Sequence, residues 1–154
     1  MNESTPFHSR HRYDPERMHV AAVYCSDGRV GEHFDDFLQN GLSLPRYDRV
    51  ALPGGPASLA GYAEARVAQE GAVDELKFLV EAHDLTRVVL IQHEGCAFYT
   101  ARLRVGTQHM AALQRADLVR AAYFIRHVTG LERIDAYFAR RTDEAIIFEP
   151  VPTE

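Results

Sequence analysis

The run Arg87-Val88-Val89-Leu90-Ile91-Gln92 constrains the fold more than any other stretch of the chain. It is short, β-branched and flanked by polar residues, so it predicts a strand and not an amphipathic helix. Val20-Ala21-Ala22-Val23-Tyr24 is a second nearly continuous apolar run, bounded after Cys25 by Ser26-Asp27-Gly28. Apolar residues at consecutive positions are the mark of a strand buried on both faces, which in turn requires helices on both sides of the sheet. Arg49-Val50-Ala51-Leu52 is a weaker candidate strand that ends in the turn residues Pro53-Gly54-Gly55-Pro56.

Between and after these runs the period changes. Ala65, Val67, Ala68, Ala72, Val73, Leu76, Leu79 and Val80 recur at three- and four-residue steps, predicting a helix from about Ala57 to about His83 with a break near Gly71. Met110, Leu113, Leu118, Ala121, Phe124, Ile125 and Val128 predict a second helix, stopped by Gly130. Ile134 to Phe138 and Ala145 to Phe148 flank a turn at Arg141-Thr142-Asp143-Glu144 and predict a closing strand pair. The alternation predicts an α/β domain with a mostly parallel central sheet of four to five strands flanked by helices. The 154 residues suit one domain, expected over 19–154, with 1–18 as a polar arm that is a short helix, loose, or swapped onto a neighbour. No internal repeat or linker interrupts it.

Composition excludes several functions. The chain has 22 acidic against 17 basic residues, a net charge of −5, with Lys77 the only lysine, so a phosphate backbone would be repelled and no nucleic-acid partner is expected. No apolar run approaches the roughly 20 residues that cross a bilayer, and Val20 to Tyr24 is too short for a signal peptide. A cytoplasmic location is the resulting expectation, and there Cys25 and Cys96 stay reduced. Gly54-Gly55 lacks the lysine and the spacing of a phosphate-binding loop.

Ligands of parallel α/β sheets bind at the carboxyl ends of the strands. Cys25 follows the first strand, and His93 with Cys96 follows the best later one, so the three can meet at one sheet edge across about 70 residues. Two thiolates and an imidazole form a donor set for tetrahedral zinc with one position left open. The alternative is two small buried apolar cysteines and a loop histidine with a satisfied hydrogen bond. Asp27 and Arg29, next to Cys25, read either as partners of that site or as a local turn ion pair. Gly31-Glu32-His33-Phe34-Asp35-Asp36 reads as the start of a surface helix or a proton shuttle, His109 as a surface histidine and His127 as a packing one.

Cys25-Ser26-Asp27-Gly28-Arg29 taken with His93-Glu94-Gly95-Cys96 resembles the paired C-x-D-x-R and H-x-x-C motifs of the β-class carbonic anhydrases, over roughly Val20 to Val151 and at the length of the short, compact members. The resemblance implies Zn²⁺ on Cys25, His93 and Cys96, a catalytic dyad of Asp27 and Arg29, and reversible hydration of carbon dioxide to bicarbonate by zinc-bound hydroxide. Because two thiolates cancel the charge of the ion, the dyad would have to assist the water. In some members the carboxylate equivalent to Asp27 closes the site by binding zinc itself, which would show as an acid-side loss of activity. A homodimer or dimer of dimers is also implied. The chain departs from the family at Gly28, where serine is usual, at Leu52-Pro53-Gly54-Gly55, where an Arg-Asn-Ala-Gly-like segment is frequent, and at Ala97, where glycine is common. Gly54 and Gly55 are the candidate substrate loop, through backbone N–H groups near a bicarbonate oxygen. The other readings are a zinc hydrolase of carbonyl sulfide or carbon disulfide, and a non-catalytic zinc-binding protein of the same fold.

Overall fold

The computed structural model describes residues 5–154. Five strands, β1 (Val20–Cys25), β2 (Asp48–Leu52), β3 (Arg87–His93), β4 (Arg133–Arg141) and β5 (Ile146–Val151), form one sheet in the order β2-β1-β3-β4-β5. The first four are parallel, and β5 runs antiparallel to β4. β3 is the central strand with β1 and β4 on either side, and every residue of β1 is buried, as is every residue of β3 after Arg87. This is the expected architecture, with the central strands those that read as continuous apolar runs.

The pleat sorts the apolar residues into two cores. Ala21, Val23, Val88 and Leu90 face one side, with Leu76 and Leu79 of α2 (Arg66–Ala82) and Leu118, Ala121 and Ile125 of α3 (Thr107–Thr129). Val20, Ala22, Val89 and Ile91 face the other, with Phe34 of α1 (Gly31–Asp36) and Leu38 of the following π-helical turn. α1 is clasped to β2 by a polar cluster. Asp35 accepts a hydrogen bond from the Tyr47 hydroxyl and from the Arg49 guanidinium at 2.6 Å, while Arg49 also reaches the Tyr24 hydroxyl at 2.9 Å.

Three local expectations are corrected. The first long helix begins at Arg66, because Gly55–Leu59 and Ala63–Ala65 form separate 3₁₀ turns, and it passes through Gly71 without a break. Ala57 and Leu59 look helical because they are apolar, but Pro56 and Gly61 confine them to a short buried turn. The arm carries no helix or strand over residues 5–18, which are largely exposed. α3 ends as expected, with Gly130 in the left-handed region at φ 75°.

The turn after β2 packs directly on the end of β1. Gly55 has φ +51°, and a Cβ there would stand 2.6 Å from the Tyr24 carbonyl carbon and 2.8 Å from the Cys25 nitrogen. Backbone meets backbone, so no side-chain rearrangement relieves the contact. Gly55→Ala is expected to cost more than the about 1–2 kcal/mol of left-handed strain alone, read as a lower urea midpoint. A second expectation concerns Asp35. Burial opposes ionisation there, but Tyr47 and Arg49 outweigh it and hold the carboxyl below its ordinary value. A depressed carboxyl contributes stability above its unfolded pKa of about 4 that is lost as pH falls. Unfolding midpoints of Asp35→Asn should therefore lie below wild type near neutral pH and converge with it in acid.

Candidate metal centre

Cys25 and His93 are the last residues of β1 and β3, and Cys96 lies three residues on, at the start of the segment leading to the π-helical turn Phe98–Arg102. Both strand ends are held in the sheet, Ser26 N–H donating to the Leu52 carbonyl at 3.2 Å and Glu94 N–H to the Ala139 carbonyl at 2.9 Å. The ligand atoms of Cys25, His93 and Cys96 lie within 4.8 Å of one another, all three residues buried. The two sulfurs are 3.9 Å apart and form no disulfide.

The histidine is set for a metal. His93 Nδ1 donates to the Glu94 carbonyl oxygen at 2.9 Å, which leaves Nε2 with the lone pair. Nε2 is buried and has no hydrogen-bond partner. An orphaned nitrogen beside two thiols is costly as a closed hydrogen-bonding arrangement and is satisfied by a cation. The thiols already differ. The Cys96 S–H hydrogen bond favours the Cys25 thiolate, assisted by the backbone N–H groups of Asp27 and Gly54, and pushes Cys25 down. The same bond and burial push Cys96 up. The donor set fits zinc.

Asp27 stands at the rim. Its carboxylate accepts the Arg29 backbone N–H at 2.9 Å and is gripped by the guanidinium through Nε at 3.1 and 3.2 Å and Nη2 at 2.7 Å. The Arg29 hydrogen bonds hold the Asp27 carboxyl down at about 2. Asp27 is thus turned to Arg29 and is not one of the clustered ligand atoms. A cleft of about 250 Å³ opens beside Cys25 and Asp27, with Pro53, Gly54, Ala97 and Phe98 among its other lining residues. Gly54, at φ +77°, leaves room for the Phe98 ring, which a Cβ would meet at 2.6 Å.

The other candidates stand elsewhere. His33, His109 and His127 are exposed, so His127 is not the packing residue that the apolar period predicted. α1 uses Phe34 as its buried residue, 6.2 Å from the His93 ring between centroids. Several residues that shape the ligand loop escaped sequence reasoning. Glu94 accepts the Arg141 backbone N–H at 2.7 Å and thereby ties the loop to the end of β4. Gln92, Tyr99, Gln114 and Asp117 lie buried behind it. The available signal was the stripe Met110, Gln114, Asp117, Leu118, Ala121 and Ile125, where polar residues take core positions of a helix.

A family model described as "Putative carbonic anhydrase" matches residues 15–138. The chain belongs to this carbonic anhydrase family. Among solved structures, it is similar to β-carbonic anhydrase isoform I from the protozoan Trichomonas vaginalis, with a TM-score of 0.55, 11% identity, and coverage of 84% of this chain and 81% of that one. It is also similar to one of two tetrameric β-carbonic anhydrases from the filamentous ascomycete Sordaria macrospora, with a TM-score of 0.51, 13% identity, and coverage of 84% and 79%. At these identities the likeness is one of fold. No curated protein matches the chain.

If the carbonic anhydrase-like donor group holds a metal, the orphaned Nε2 should be indispensable to it. His93→Ala is expected to cut the bound metal of the purified protein tenfold or more, with the far-ultraviolet circular dichroism unchanged. Elemental analysis reads the first and spectroscopy the second.

Proposed function

We propose that the chain is a zinc-dependent carbonic anhydrase-like lyase that interconverts carbon dioxide and bicarbonate. Cys25, His93 and Cys96 hold Zn²⁺ in this reading, and Asp27 with Arg29 forms the catalytic dyad. The observation that carries it is the buried Cys-His-Cys group with its unpartnered Nε2, standing beside an ion pair at the mouth of a small cleft. Zinc in such a site supplies Lewis acidity that brings the pKa of a water toward neutrality.

The chain's own residues do the rest. Asp27 stays ionised at all working pH values because Arg29 grips both of its oxygens. It is an acceptor that never needs to be recharged, suited to taking the hydrogen bond of the reacting water and orienting it. Pro53, Ala97 and Phe98 give the cleft apolar walls, suited to a small uncharged molecule. Gly54 and Gly55 form the substrate loop in this reading. They let the turn close on Cys25 and Phe98, where any larger residue would collide.

The arm belongs to assembly. Phe7 is 90% exposed and Tyr13 86% exposed, which suits contact with a second copy in a homodimer or dimer of dimers, around a single zinc-binding domain over 19–154. Among the described residues no helix is long and apolar enough to cross a membrane, and the cytoplasm is the proposed location.

Stopped-flow hydration of carbon dioxide with a pH indicator, on protein of measured zinc content, tests the reading. Zinc-loaded wild type is expected to hydrate carbon dioxide well above the buffer rate. Cys96→Ser should abolish this with loss of metal, while Asp27→Ala should keep the metal and lose about 10–100-fold in rate. Release of sulfide from carbonyl sulfide without carbon dioxide hydration would assign the site to sulfur analogues. Inactivity on both, with zinc bound, would make the chain a binding protein.

A further inference from the structure

Behind the ligand loop runs a line of buried polar side chains for which the proposed chemistry has no use. Asp117 of α3 is fully buried, and its carboxylate accepts hydrogen bonds from the hydroxyls of Tyr62 and Tyr99 and from the Arg120 guanidinium, each at 2.7 Å. The Tyr99 hydroxyl in turn accepts from the Gln92 amide at 3.1 Å. Gln114 then donates to the Gln92 oxygen at 3.3 Å and to the His93 carbonyl oxygen at 2.7 Å. Enclosing a carboxylate and two primary amides is unfavourable compared with filling the same space by apolar residues. Such a network needs a reason beyond packing.

Its attachment points supply one. Gln92 immediately precedes His93, and Tyr99 follows Cys96 by three residues, with its backbone N–H donating to the Cys96 carbonyl at 3.1 Å. Asp117 therefore anchors both ends of the loop that offers two of the three ligands. Gln114 grips the His93 backbone at its carbonyl, while the imidazole is fixed by the next carbonyl, that of Glu94. The Gln114 amide nitrogen is used twice and its oxygen has no partner, so the position is filled for its donor.

We propose that Asp117, Tyr99, Gln92 and Gln114 form a positioning network that orients His93 and Cys96 toward the metal. The proposal rests on the zinc reading of Cys25, His93 and Cys96. These residues touch neither metal nor substrate, and they act by narrowing the orientations available to the ligands before the ion arrives. Polar partners behind metal ligands commonly set affinity in this way, by about 10–100-fold.

The test reads metal binding and not turnover. Zn²⁺ affinity is measured by chelator competition, and the site geometry by the visible absorption of the Co²⁺ form, with thermal unfolding of the metal-free protein alongside. Asp117→Asn puts the fold at risk, so Tyr99→Phe, which deletes one hydroxyl, and Gln114→Met, which deletes the donor to His93, carry the test. Both are expected to raise the Kd about 10–100-fold and to alter the Co²⁺ bands. Leu79→Ala is the stability control. It lies near the end of α2 that meets β2 through His83 and Asp48, away from the metal group, and should lower Tm with Kd and spectrum unchanged. Wild-type Kd and Co²⁺ bands in Tyr99→Phe and Gln114→Met would overturn the network's role while leaving the zinc reading intact. Wild-type protein that binds neither ion, or Cys96→Ser that binds both as tightly, would overturn the zinc reading and the network with it.

Discussion

The parallel pairing of β1 with β3 is the constraint on which the rest of the structure depends. Its register sets Val23 against Leu90, so the strands finish side by side and deliver Cys25 and His93 to the same place. Helices must then cover both faces, since both strands are apolar throughout and neither face can be left to water. The turn that closes on this edge must approach within backbone contact of Cys25, and only glycine at position 55 permits it. Sheet, helices and glycine turn are thus consequences of one alignment.

Electrostatics at the edge follow from the same crowding. Two thiols forced to 3.9 Å cannot both ionise freely, and they resolve the conflict by sharing a hydrogen bond. Asp27 escapes that conflict because Arg29 neutralises it locally, on the solvent side, where the guanidinium stays hydrated. The acidic chain therefore carries a negative group close to sulfur without exposing either to the other's full charge.

Much of this was legible in the residues. Val20 to Tyr24 and Arg87 to Gln92 announced central strands because burial on both faces removes polar residues from consecutive positions. The meeting of Cys25, His93 and Cys96 was legible because strand ends were, whereas Asp27 and Arg29 drew attention only through the paired motif. Ala57 to Leu59 misled because an alanine-rich stretch has helical composition, while the neighbouring prolines and glycines decide its geometry. His127 misled because a histidine on a periodic helix takes either face equally well. Gln114 and Asp117 were hidden for a deeper reason: a polar side chain in a core stripe declares itself only when its partners are known, and those partners, Tyr62, Tyr99 and Gln92, come from other elements.

The placement of Cys25 and His93 at strand ends bears on how the molecule comes into being. In small metal-dependent modules the ion gathers loops that have no other reason to meet, and the chain is formless without it. Here the cysteine and histidine that span most of the distance are the terminal residues of two strands already aligned by seven apolar residues that serve the cores on both faces of the sheet, Val20, Ala21, Ala22, Val23, Val88, Val89 and Leu90. Formation of the sheet therefore sets these two residues side by side without help from any ion. A polypeptide made where metal is scarce would still reach this shape.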